Sequence, residues 1–289
     1  MTRPTALIDL LQDVWASLDS LLVTLDETQW KTMTECPGWT VQDTVVHLLS
    51  SELGLHGEPP TTHRATNLTH VKNPIGEFNE HEIDARRSRT GAEVFAEWQA
   101  IKAKRRDTLA TAGDEYFTRE MMTPTGPGTF ADFLHIRVMD AWIHEQDIRR
   151  VLHQPGNEGG PAAQHSIGRF ARSLPMVVGK RAAAPDGSMV RIDITGPVAR
   201  TFHIATNALP EQIEELFPKT VAVGKAFGVI MVVQDGVETE VATFREDVGY
   251  QDGRRPDSVN FCGAKEDAIR RDFTVNGMFY DPIDDQLID

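Results

Sequence analysis

Asp140 and His144 stand four residues apart within the stretch Phe130 to His153, whose apolar residues recur at helical spacing. A carboxylate and an imidazole so spaced lie one turn apart on the same helix face. The pair could grip one divalent ion, or it could be a buried hydrogen bond that holds helices together, and spacing alone leaves both open. His47 is the third candidate, midway along a stretch that also carries Val45, Val46, Leu48, Leu49 and Leu53 and must therefore pack against other helices. Two imidazoles and a carboxylate drawn from facing helices would leave positions on an ion open for water or substrate, as in catalytic zinc sites. A satisfied core histidine is the other reading of His47. Asp43, one turn before His47, is a candidate to orient it, and Asp147 is a candidate acceptor for a ligand histidine or, equally, a local salt-bridge partner of Arg150. Arg137, one turn before Asp140, is expected to ion-pair with it. The two cysteines, Cys36 and Cys262, form no CxxC motif and read as buried thiols.

These residues need helices to position them. Thr5 to about Leu25 repeats Leu7, Leu10, Leu11, Val14, Leu18, Leu21 and Leu22 at spacings of three and four, which predicts a helix burying one face. After the turn residues Cys36-Pro37-Gly38-Trp39, Thr40 serves as N-cap with Asp43 at N3, so a helix runs from Val41 to about Leu55 and carries His47. Gly57 to Pro74 has no period and reads as a long connection. Helices are expected over Ile75 to Arg87 and Gly91 to Thr111, the second with Lys102, Lys104, Arg105 and Arg106 on its exposed side. The breaker cluster Thr123 to Gly128 precedes Thr129, which caps the helix Phe130 to His153, and Pro161 to Leu174 closes the helical part. Beyond Pro185 the texture changes. Strands are expected at Met189–Thr195, Arg200–Thr206, Gly228–Val233, Glu238–Phe244 and Ser258–Cys262, with helices at Glu211–Phe217 and Lys265–Phe273. The expected fold is α+β in two domains, a helical bundle over 1–182 and a small α/β domain over 183–289.

The phrases Cys36-Pro37-Gly38-Trp39-Thr40-Val41 with His47-Leu48-Leu49, and Asp140-Ala141-Trp142-Ile143-His144-Glu145-Gln146-Asp147, resemble the two signature helices of the mycothiol-dependent maleylpyruvate isomerase family. Thr125 to Thr129 and Leu174 to Arg181 are similar to further segments of its members, so the resemblance spans roughly residues 5 to 190. It implies a DinB-like four-helix bundle with a divalent metal, usually zinc, held by His47, Asp140 and His144, and mycothiol as the thiol cosubstrate. The family's characterised isomerase has Glu where this chain has the shorter Asp140. The resemblance further implies that the C-terminal domain is like a sterol carrier protein.

The functional expectation is a metal-dependent enzyme in which mycothiol adds to a small electrophile, as an isomerase or an S-transferase. The alternative is a non-catalytic binding protein for a small apolar ligand, with the polar trio purely structural. A net charge of −14 over 289 residues would repel a phosphate backbone or an anionic membrane, so neither nucleic acid nor membrane is an expected partner. No apolar run approaches the roughly 20 residues a membrane span needs, and residues 1–13 lack the apolar core of a signal peptide, so the expected location is cytoplasmic.

Overall fold

The periodic apolar residues of the N-terminal half form helices that share one core. In the computed structural model the first unit contains α1 (Thr5–Leu22), α2 (Glu27–Trp30), α3 (Val41–His56), α4 (Pro74–Asp84), α5 (Gly91–Thr111), α6 (Asp114–Thr118), β1 (Glu120–Thr123), β2 (Gly126–Thr129), α7 (Phe130–Val151) and most of α8 (Gly160–Ala171). The structure describes residues 3–182, 184–185, 188–205, 209–225, 229–234, 237–243, 245–250, 256–261, 279–281 and 286–288. The chain divides into two compact units, Met1–Arg169 with Gly196–Val198, and Phe170–Thr195 with Ala199–Asp289.

Three of the four long helices begin with reciprocal caps. Thr40 and Asp43 open α3, Thr90 and Glu93 open α5, and Thr129 and Asp132 open α7. In each, the threonine hydroxyl accepts from the N3 amide while the acidic side chain accepts from the threonine amide, which satisfies two amides that the helix cannot. Gly57, at φ +93°, ends α3 in the left-handed conformation that glycine adopts most readily. Leu11, Val14, Trp15 and Leu18 of α1 pack with Val45, Leu48 and Leu49 of α3, Val94, Trp98 and Ile101 of α5, and Leu134, Val138 and Ala141 of α7 in one core. At its centre Trp15 and Trp98 meet edge to face, 5.9 Å between centroids.

Two expectations for this unit need correction. Lys102 and Arg105 are buried rather than exposed, because Lys102 pairs with Asp19 of α1 and Arg105 with Glu52 of α3. A buried charge persists only when paired in this way. The breaker cluster before α7 is an antiparallel hairpin of β1 and β2, with Glu120 opposite Thr129 and Thr123 opposite Gly126.

The second unit has α9 (Leu174–Met176), a π-helical turn (Val177–Arg181), β3 (Met189–Ile194), β4 (Arg200–Ala205), α10 (Pro210–Leu216), β5 (Thr220–Gly224), β6 (Val229–Gln234), β7 (Val237–Ala242), β8 (Arg245–Tyr250), β9 (Pro256–Phe261), β10 (Phe279–Asp281) and β11 (Gln286–Ile288). The pairings β3 with β4, β5 with β6, β6 with β7, β8 with β9 and β10 with β11 are all antiparallel. Its described apolar clusters are small, one around Leu174, Val178 and Ile204 and one around Ile213, Ile230 and Val232. The chain thus mixes helix and strand, and five of its β elements fall where alternation places them. Strands β5, β8, β10 and β11 were not anticipated. The expected helix at 265–273, and Cys262, lie outside the described residues. No helix among the described residues is long and apolar enough to cross a membrane.

Candidate metal centre

Helix α7 presents Asp140 and His144 on one face, and α3 brings His47 against them. His47 Nε2 lies 3.5 Å from Asp140 Oδ1 and 3.3 Å from Oδ2, and His144 Nε2 lies 3.6 Å from Oδ1. The two imidazole centroids are 5.0 Å apart. Donor atoms of all three residues fall within 4.8 Å of one another. Ligands about 2.0–2.1 Å from a tetrahedral zinc are roughly 3.3 Å from each other, so the spacing and the nitrogen and oxygen donors fit such an ion. The side chains are 11%, 25% and 14% exposed for His47, Asp140 and His144, sheltered yet reachable.

Neighbouring groups fix each member. Burial drives the His47 imidazole toward its neutral form, and the positive charges of His144 and Arg137 add to that, outweighing Asp140. Burial alone would raise the Asp140 carboxyl, yet His47, Arg137 and His144 together hold it well below the usual carboxylate range. For His144 burial is outweighed by the hydrogen bond to Asp147, by Cys36 and by Asp140, which raise the metal-free imidazolium to about 10. His144 Nδ1 lies 3.2 Å from Asp147 Oδ2, so Nε2 is the nitrogen turned toward Asp140. Asp147 thus takes both roles open to it, accepting from His144 and lying 3.7 Å from Arg150. Arg137 donates from Nη1 to Asp140 Oδ2 at 2.6 Å, also as expected.

Asp43 does not orient His47. Its carboxylate accepts from the Thr40 amide and lies 3.4 Å from Arg87, while His47 Nδ1 is buried with no hydrogen-bond partner among the described residues. The capping position that made Asp43 conspicuous also turns it toward the helix start.

Sequence reasoning missed several neighbours of the trio. The Trp39 ring stands 5.3 Å from that of His47 and 6.2 Å from that of His144. Its indole N–H donates to Glu80 Oε2 at 3.0 Å; the same buried carboxylate meets His70 at 2.9 Å and Arg87 at 2.5 Å. Cys36 is half-buried, and its thiol lies 3.4 Å from Asp147 Oδ2, so it is coupled to the site and is not the inert core thiol expected. Cys36, Trp39, His70, Val71, Lys72 and Glu80 line a cavity of about 330 Å³, with the connection after α3 as one wall. Glu52, fully buried one turn beyond Leu48 and Leu49, was also missed, although an acid on the apolar face of α3 is itself a sign of a buried partner.

Residues 11–149 match the family model for the mycothiol maleylpyruvate isomerase N-terminal domain, and residues 186–289 match that for the poly A polymerase head domain. Among solved structures, a mycothiol-dependent maleylpyruvate isomerase aligns with a TM-score of 0.49 and 14% identity, covering 70% of this chain and 80% of that one. Curated relatives include CCA-adding enzymes. That of Geobacillus kaustophilus is 47% identical over 96 residues, 33% of this chain and 24% of its own length. That of Bacillus licheniformis is 52% identical over 87 residues, 30% of this chain and 22% of its own length. The chain therefore spans about a quarter of the length of these relatives. The N-terminal half thus resembles the isomerase family in sequence, as its motifs imply. The expected sterol-carrier-like C-terminal domain is corrected by the second match. Short alternating strands with interspersed helices are common to many small α+β domains, so the rhythm that predicted the strands could not distinguish between them.

Proposed function

We propose that the N-terminal half is a divalent-metal site, zinc first among the candidates, at which mycothiol is activated for addition to a small electrophile, with His47, Asp140 and His144 as ligands. The observation that carries the reading is the convergence of these three donor groups within 4.8 Å, from two helices, beside a cavity of about 330 Å³. A divalent ion bound there would supply the positive charge that keeps a coordinated thiol ionised near neutral pH. The protein's part is positional. Asp147 orients His144 through Nδ1, Arg137 holds Asp140, and Trp39 screens one side of the histidines from water. An addition that is reversed after bond rotation gives an isomerase, and one in which the adduct departs gives an S-transferase; both share this first half. The names matched by both halves are those of enzymes, which does not favour a non-catalytic carrier. Calorimetric titration of the metal-loaded protein with mycothiol tests the proposal. Binding that disappears in His144→Ala is expected, and equal binding by metal-free wild type would overturn it.

The identity of 47–52% to CCA-adding enzymes carries a second proposal, that residues 186–289 bind nucleotides as those names suggest. Titration of the full chain with CTP and ATP in the presence of Mg²⁺ tests it: saturable binding of either supports the proposal, and none of either overturns it.

A further inference from the structure

Helices α3, α5 and α7 each contribute one charge to a buried chain that ends on Asp140. Arg105 donates from Nε to Glu52 Oε2 at 3.0 Å, and Arg137 donates from Nε to Glu52 Oε1 at 3.0 Å and from Nη1 to Asp140 Oδ2 at 2.6 Å. Arg105, Glu52 and Arg137 are at most 3% exposed. Among the described residues Glu52 bonds to Arg105 and Arg137 and to neither histidine of the trio, and a buried ionic cluster of this kind is often no more stable than apolar residues of similar volume. At one end Arg105 donates to the Tyr116 hydroxyl at 2.8 Å, and toward the trio the cluster connects through the Arg137 guanidinium, whose planar fork holds Glu52 with one nitrogen and Asp140 with another.

We propose that Arg137, fixed by Glu52, is a positioning residue that makes Asp140 a one-oxygen ligand. Arg137 occupies Oδ2, which also lies 3.3 Å from His47 Nε2, whereas Oδ1 is the oxygen within reach of both histidine Nε2 atoms, at 3.5 Å from His47 and 3.6 Å from His144. A carboxylate held in this way cannot swing both oxygens onto one ion, so a coordination position stays free for the thiol. The short arm of Asp140 makes the restraint effective, because the carboxylate has few rotamers with which to escape it. The inference rests on the metal reading of His47, Asp140 and His144.

Cobalt(II) substitution of the full chain tests it through the visible spectrum, which is intense for four-coordinate and weak for five- or six-coordinate cobalt. Wild type is expected to give the intense spectrum and Arg137→Met one several-fold weaker per bound cobalt, as the released Asp140 chelates. Glu52→Gln, which keeps the side-chain shape but leaves an acceptor oxygen for only one of the two arginines, is expected to move in the same direction by less, and it serves should Arg137→Met fail to fold. A folded variant of either kind with the wild-type spectrum overturns the positioning role while leaving the metal reading intact. Wild type that takes up no cobalt overturns both.

Discussion

At the scale of single residues, the protonation states around Asp140 determine how the site would take up an ion. His47 is held toward neutrality and Asp140 is held ionised, so neither must lose a proton, whereas the His144 imidazolium, raised to about 10, must lose one. Metal affinity should therefore rise about tenfold per pH unit between pH 7 and 9, with close to one proton released per ion. Calorimetry in buffers of different ionisation enthalpy measures that number. A flat profile, or two protons released, would contradict the assignment. The same shift fixes the sign of a stability effect in the metal-free protein. A folded-state pKa raised from 6.5 to about 10 contributes stability that is fully present below pH 6.5 and is lost as pH rises toward 10. Thermal melts of metal-free wild type should thus lose ground over that range relative to His144→Gln.

At the scale of elements, the positions of the ligands depend on how closely the helices approach. Gly91, the first residue of α5, packs against the Trp30 indole so tightly that a Cβ would fall 2.1 Å from its Cγ. Gly91→Ala should destabilise the first unit by about 1–3 kcal/mol, the usual cost of overpacking, as read from denaturant midpoints. An unchanged midpoint would mean that Trp30 gives way freely. Elements were also where the sequence was most legible. Thr40 with Asp43 announces α3 and Thr129 announces α7, and the spacing of Asp140 and His144 places both on one face. What spacing cannot supply is the partner across the bundle. His47 and Asp140 are 93 residues apart and meet only through the packing of α3 on α7. Lys102 and Arg105 looked solvent-facing because their carboxylates, Asp19 and Glu52, lie on other helices. Asp43 was misread for the converse reason, since a local cap and Arg87 claim it.

At the scale of the whole molecule, two halves carry two likenesses, to an isomerase N-terminal domain over 11–149 and to a polymerase head domain over 186–289. The change of texture near residue 185 was visible from the end of helical periodicity and the start of alternation. The nature of the second half was not, because alternation reports that strands exist and says nothing of what they are built to hold. Elemental analysis of purified protein after reconstitution with zinc decides whether the first half holds a metal. About one zinc per wild-type chain is expected, with its loss in folded His47→Ala and His144→Ala proteins; full zinc retained by both variants, or none taken up by wild type, would rule out the metal site.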